Sequence, residues 1–190
     1  ILKGIGIFRT GQERTPLGYA LPIAEEIEQR LKGRKEVARA SIAGSMRRRK
    51  ETVGDIDILA SCRGGKAAPK IMGFFTTMPE VTRILAKGGT KASILMKSGL
   101  QVDLRVVDDD SFGAALQYFT GSKEHNVVVR EIAIKKGLKL NEYGVFRKSG
   151  NRKIAGKTEE DVYRAIGLRY MEPEIRENSG EIEAAAKGKL

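Results

Sequence analysis

Gly44-Ser45-Met46-Arg47-Arg48-Arg49, followed by Gly54-Asp55-Ile56-Asp57-Ile58-Leu59, decides how this chain is read. The first stretch reads as a tight glycine turn into a basic helix start. The second reads as a β-strand with carboxylates at i and i+2, which period-2 geometry puts on one face. Two Asp side by side repel, and strand interiors disfavour them. A divalent cation reverses that penalty, because magnesium takes one or two carboxylates together with substrate phosphates. Upstream, Val37 to Ala43 alternates like a strand and runs into Gly44-Ser45, giving an order of strand, glycine turn and helix that suits a phosphate site.

Downstream, Lys91 to Met96 and Leu100 to Val107 read as a hairpin joined at Lys97-Ser98-Gly99. Its second strand carries Asp103, the best placed third carboxylate. Three such groups on neighbouring strands would hold two metals about 3.5 to 4 Å apart, one activating an attacking hydroxyl and one holding the leaving phosphate. Gly44 would let backbone approach a phosphate, Ser45 would offer a hydroxyl and an N–H, and Arg48 would neutralise phosphate oxygens.

The surrounding pattern mixes helices and strands. Pro16 and Pro22 bracket a start signal for an amphipathic helix through Ile23, Ile27 and Leu31, ending near Gly33. Ile71, Phe74, Phe75 and Met78 have helical spacing, and a second short helix is expected from Pro79 to Lys87. Asp108-Asp109-Asp110-Ser111 reads as a helix cap before Phe112 rather than as a metal cluster. From residue 110 helices come first, including one from Lys123 to Lys136. A short strand pair is expected within Leu138 to Val145, and a capping box at Thr158-Glu159-Glu160-Asp161. The tail from Glu181 reads as a helix or a frayed end, and Ile1 to Phe8 as the end of a helix already begun.

The 190 residues, 41% of them hydrophobic, can bury one good core or two small ones, and 35 Lys and Arg against 24 Asp and Glu give a formal net charge of +11. That excess favours a polyanionic partner, nucleic acid first. One cysteine, Cys62, and one histidine, His125, leave no material for disulfide frameworks, Cys/His zinc sites or histidine-based hydrolase triads. Cys62 is expected to pack as a small hydrophobe and His125 to pack or cap. No apolar run approaches the roughly 20 residues that span a bilayer, so the expected setting is the cytoplasm, with no membrane.

Gly-Ser, basic residues, a gap and then Asp-x-Asp on a strand is the signature of the nucleotidyltransferase superfamily, and the wider pattern resembles the family X DNA polymerases, in their bacterial and archaeal branch. Tyr118-Phe119-Thr120-Gly121-Ser122, Leu140-Asn141-Glu142-Tyr143, Thr158 to Asp161 and Tyr170-Met171-Glu172-Pro173 match successive family segments. The resemblance covers nearly all of residues 16 to 175. It implies an α+β fold. Residues 16–109 would form a nucleotidyltransferase palm with a mixed sheet and flanking helices. Residues 110–190 would form a mainly helical nucleotide-selecting (thumb) subdomain with a small β element, and 1–15 would be the remnant of a preceding helical DNA-binding region.

It further implies templated addition of a nucleotide from a dNTP to a primer 3′-hydroxyl, by a monomer, in short-gap repair. Asp55, Asp57 and Asp103 would hold two Mg2+ ions (Mn2+ in their place), Asp103 also drawing on the primer hydroxyl. Gly44, Ser45, Arg48 and Gly54 would take the triphosphate, Tyr118, Phe119 and Gly121 the sugar, and Asn126 the base edge. Lys91, Arg105, Arg130 and Tyr143 would lie on the DNA side, with Arg105 pairing to Glu142 as the enzyme closes. Taken alone, Tyr118 and Phe119 would be core aromatics and Arg130 a solvated helix residue; register with the motif lifts them. Lys123 stands where relatives carry an acidic residue, and Gln101 where they carry arginine. A template-independent or non-DNA nucleotidyltransferase, and a DNA-binding fragment without catalysis, are the alternatives.

Overall fold

The computed structural model describes residues 14–62 and 67–190. The helix end expected at Ile1 to Phe8, and with it nearly all of the 1–15 remnant, lies outside the described residues.

Helix α1 (Leu17–Lys32) starts directly after Pro16, whose fixed φ suits a helix entry. Of the two prolines that bracket the expected start, Pro16 marks it, while Pro22 sits inside the helix and removes one backbone hydrogen bond. Burial of Ala20, Ala24, Ile27 and Leu31, each at most 2% exposed, offsets that loss. These residues face a five-stranded sheet of order β2-β4-β7-β6-β5, made of β2 (Val37–Ile42), β4 (Ile56–Cys62), β5 (Val81–Lys87), β6 (Lys91–Met96) and β7 (Gln101–Asp108). A two-residue bridge, β1 (Thr15–Pro16) with β3 (Thr52–Val53), closes the start of α1 onto the site loop. One-turn helix α2 (Gly44–Arg47) follows β2, and α3 (Ala68–Thr76) follows β4.

Among the described residues only β4 and β7 pair in parallel; the hairpin of β6 and β7 is antiparallel. The two parallel strands are therefore central, and their alternate residues serve two layers. Ile56, Ile58, Ala60, Val102, Leu104 and Val106 point into the main core with α1 and α3. Their neighbours in sequence point the other way. Asp57 pairs with Asp103, Leu59 with Arg105, and Lys91 of β6 with Arg105 in turn. One end of this second face is covered by α4 (Phe112–Thr120), through Leu59, Phe112, Ala115 and Leu116.

The segment from Val81 to Lys87 is strand β5, not the expected helix. Val81, Thr82 and Ile84 are β-branched, and β6 supplies a ladder along one side. The turn is closed where the Val81 N–H donates to the Met78 carbonyl at 3.0 Å. Asp109 and Ser111 precede α4 as expected, through a 3-10 turn, but neither side chain caps it. Asp109 Oδ1 instead accepts from Arg39 Nε and Ser61 Oγ, each at 2.7 Å. Ser111 Oγ donates to the Tyr143 carbonyl at 3.0 Å.

A second core is built by α4, α5 (Lys123–Lys135), a three-stranded sheet of β8 (Leu138–Asn141), β9 (Gly144–Arg147) and β10 (Lys153–Ala155), α6 (Glu159–Ala165) and α7 (Glu181–Ala186). Thr158 caps α6 by accepting from the Asp161 N–H at 3.2 Å, one half of the expected capping box, while the Asp161 carboxylate accepts from Arg164 at 3.4 Å. His125 is fully buried, its ring 2.7 Å from Glu181 Oε1 and 2.9 Å from the Tyr163 hydroxyl, so it packs and also ties α7 to α5. Cys62 is buried. The architecture is mixed α+β, and among the described residues no helix is long and apolar enough to cross a membrane.

Candidate active site

The parallel register of β4 and β7 brings Asp57 and Asp103 to the same rung, and Asp55 immediately precedes β4. Asp55 lies within electrostatic reach of both. Burial pushes the Asp57 carboxyl up to about 7, with the charges of Asp55 and Asp103 adding to the shift. Burial, then Asp103, raises Asp55 as well. Such a cluster costs free energy, and hard oxygen donors of this kind fit a divalent cation. Among the described residues no three His, Cys, Asp or Glu side chains converge to enclose an ion. Asp103 is drawn aside, accepting from Gln101 Nε2 at 3.0 Å and lying 3.5 Å from Lys91 Nζ.

Gly44 adopts φ +61°, and a Cβ there would collide with the Asp57 carboxylate. Glycine is needed both for the backbone conformation and for the approach of the carboxylate. Gly54 has open space around its Cα and does not line the cavity beside the carboxylates.

That cavity, about 400 Å3, is lined by Gly44, Ser45, Arg48, Asp55, Asp57, Tyr118, Phe119, Thr120, Gly121, Lys123, Asn126 and Arg130. It gathers every residue expected at the nucleotide except Gly54, together with Arg130. Tyr118 and Phe119 pack edge to face, with ring centroids 5.1 Å apart. The Asn126 amide is already engaged, Oδ1 accepting from Gln117 Nε2 and Nδ2 donating to the Tyr118 carbonyl, both at 2.7 Å. One amide hydrogen of Nδ2 is left for another acceptor.

Asp103, Lys91, Arg105 and Tyr143 do not line this cavity. Arg105, Tyr143 and Glu142 share a neighbouring one of about 180 Å3 with Phe119. Arg105 makes no ion pair with Glu142; its guanidinium lies 4.4 Å from the centroid of the Phe119 ring. Tyr143 is 57% exposed.

The consecutive arginines Arg47 and Arg48 pair with different carboxylates and share Thr120, contacts that the sequence does not name. Arg47 makes a two-pronged contact with Glu159, at 2.9 and 2.6 Å, and reaches Thr120 Oγ1 at 2.7 Å. Glu159 also receives Arg176 Nη1 at 2.6 Å, and Arg176 is completely buried. Burial works to raise the Glu159 carboxyl, but the hydrogen bonds and charges of the two arginines hold it below the ordinary range. Arg48 instead donates Nε to Glu177 at 2.8 Å and Nη1 to the Thr120 carbonyl. Adjacent side chains diverge on a helical turn, which fits the two arginines taking different carboxylates even though both also reach Thr120.

The family described as DNA polymerase beta thumb matches residues 115–177. The DNA polymerase/3′-5′ exonuclease PolX of Bacillus subtilis is 36% identical over 96% of this chain and 32% of its own length. DNA polymerase lambda of Rattus norvegicus is 32% identical over 70% of this chain and 28% of its own length. The chain thus spans about a third, or less, of these relatives. Polymerase beta of Leishmania infantum, solved as a ternary complex, superposes with a TM-score of 0.76 at 24% identity, over 92% of this chain and 80% of that one; it shows the fold. A mixed sheet with register-paired carboxylates, a glycine turn beside them and a mainly helical part across the cavity make up an α+β fold of the polymerase beta kind. The chain belongs to the family X DNA polymerases.

Proposed function

We propose that this chain is the nucleotide-adding part of a DNA polymerase, with residues 16–109 as palm and 110–190 as nucleotide-selecting subdomain. In the reaction the primer 3′-oxygen forms a bond to the α-phosphorus of a dNTP. The bond from that phosphorus to the bridging oxygen of the β-phosphate breaks, pyrophosphate leaves, and the hydroxyl proton is lost.

The observation that carries this reading is the shared cavity: Gly44, Ser45 and Arg48 face Tyr118, Phe119, Gly121, Asn126 and Arg130 beside Asp55 and Asp57. Arg48 would hold the triphosphate, Ser45 would donate to it, and the aromatic pair would wall the sugar. Asn126 would use its remaining amide hydrogen on the base edge, and Arg130 would meet the template. Asp55, Asp57 and Asp103 would hold Mg2+ or Mn2+, which when bound lowers the pKa of the attacking hydroxyl and neutralises charge on the leaving phosphates. Asp103 would accept the hydroxyl proton, which requires it to leave Gln101 and Lys91. Lys91, Arg105 and Tyr143 would then lie along the DNA.

Short-gap repair by a monomer in the cytoplasm, at the nucleoid, is the setting that fits. The test is extension of a primer on gapped and on single-stranded DNA, with magnesium or manganese and all four dNTPs. Template-directed addition supports the reading. Untemplated addition would make the chain a different nucleotidyltransferase, and DNA binding without addition would make it a binding fragment.

A further inference from the structure

Arg48 lines the nucleotide cavity, yet its guanidinium is held from behind. Nε donates to Glu177 Oε1 at 2.8 Å, Nη1 donates to the Thr120 carbonyl, and among the described residues Nη2 has no hydrogen-bond partner. Glu177 does not line the cavity.

Glu177 is itself anchored. It follows Arg176, whose guanidinium is fully buried and donates to the Met171 carbonyl at 2.9 and 2.7 Å and to Glu159 at 2.6 Å. The Arg176 carbonyl accepts from the Ser122 N–H at 3.0 Å, and the Glu177 N–H donates to the Ile175 carbonyl at 2.8 Å. A carboxylate on so fixed a stretch of backbone can fix what it touches.

Two effects of Glu177 on Arg48 oppose each other. An acceptor on Nε freezes a long, rotamer-rich side chain before the ligand arrives, which cuts the entropy lost on binding. A negative charge beside the guanidinium also weakens its pull on phosphate. Lys50 settles the balance: its Nζ lies 3.3 Å from the same Glu177 oxygen, so one anion is shared by two cations and the trio keeps a net positive charge.

We propose that Glu177 is a positioning residue for nucleotide binding, holding Arg48 with its Nη2 edge available to the triphosphate while Lys50 offsets the carboxylate's charge. This rests on the reading of the cavity as a dNTP site.

The experiment titrates a dNTP with Mg2+ into the wild-type chain and into Glu177→Ala and Glu177→Gln, each with a gapped primer–template DNA, and measures KM, kcat and Tm for each. Glu177→Ala is expected to bind about 10-fold more weakly, with the change carried by KM rather than kcat. Glu177→Gln keeps an acceptor without the charge, so its affinity is expected to equal or exceed that of wild type. Unchanged or tighter binding in Glu177→Ala would overturn the proposal, since the carboxylate would then be idle or a competitor of phosphate. Equal loss in both variants, together with a lower Tm, would overturn it in favour of a purely structural role. Failure of the wild-type chain to bind any dNTP would instead overturn the reading of the cavity, and this proposal with it.

Discussion

Asp57 of β4 and Asp103 of β7 stand on one rung of a parallel pair, and in this structure a cation, Lys91 Nζ, lies 3.5 Å from Asp103 Oδ2. Asp103→Ala removes a group outside the nucleotide cavity. Primer extension is expected to fall by about 10³-fold or more, on the scale of a lost general base, while dNTP affinity by titration stays near wild type. Full activity in the variant would sink the assignment.

Gly44→Ala would place a methyl group against the Asp57 carboxylate at a residue with φ +61°. The backbone strain alone costs about 1 to 2 kcal/mol. Activity is expected to fall much further than the melting temperature, because relief of the clash moves a carboxylate of the site. A loss of stability with activity intact would show that Asp57 can move without consequence.

Glu159→Ala would leave the fully buried Arg176 without its carboxylate and Arg47 without its two-pronged partner. Breaking a buried pair from one side costs about 3 to 5 kcal/mol, which for a chain of this size lowers Tm by roughly 10 °C. The pH dependence follows from the lowered carboxyl of Glu159. Between its native pKa and the unfolded value of about 4.3, the unfolded chain binds more protons. Its contribution is therefore complete above that unfolded value and lost as pH falls through the native one. Melting curves of wild type and Glu159→Gln are expected to differ most near neutrality and to converge in acid. A constant gap at all pH values would contradict this.

Asn126→Ala would strip the acceptor from the Gln117 amide, which is 2% exposed. An orphaned buried amide costs about 1 to 3 kcal/mol. Both a lower Tm and a raised KM for dNTP are expected; a changed KM with unaltered Tm would mean that Gln117 finds another partner.

The central sheet and its carboxylates were legible because their signals are local. Asp57 and Asp103 sit in short strands, Asp55 just before the first, and turn chemistry at Gly99 fixes the hairpin that carries Asp103. Val81 to Lys87 was misread because Pro79 resembles a helix entry and the segment holds no strict alternation; what makes it a strand is the β6 ladder beside it. Polar side chains were harder still. Arg48 finds Glu177 and Arg47 finds Glu159 across separations of 129 and 112 residues, and nothing in the neighbourhood of either arginine names its partner. Asp109 stands at the expected helix start, but its carboxylate does not cap, because Arg39 and Ser61, both distant in sequence, claim it.

The parallel pairing of β4 with β7 has a consequence during biosynthesis. Asp57 emerges from the ribosome well before Asp103, and a parallel pair cannot form by simple hairpin closure. The rung that joins them exists only after β7 has been made and has come to lie between β4 and the intervening strands β5 and β6. Nascent chains halted between Asp57 and Asp103 therefore carry the glycine turn and two of the carboxylates without the third, and the rung between Asp57 and Asp103 appears only with completion of the sheet.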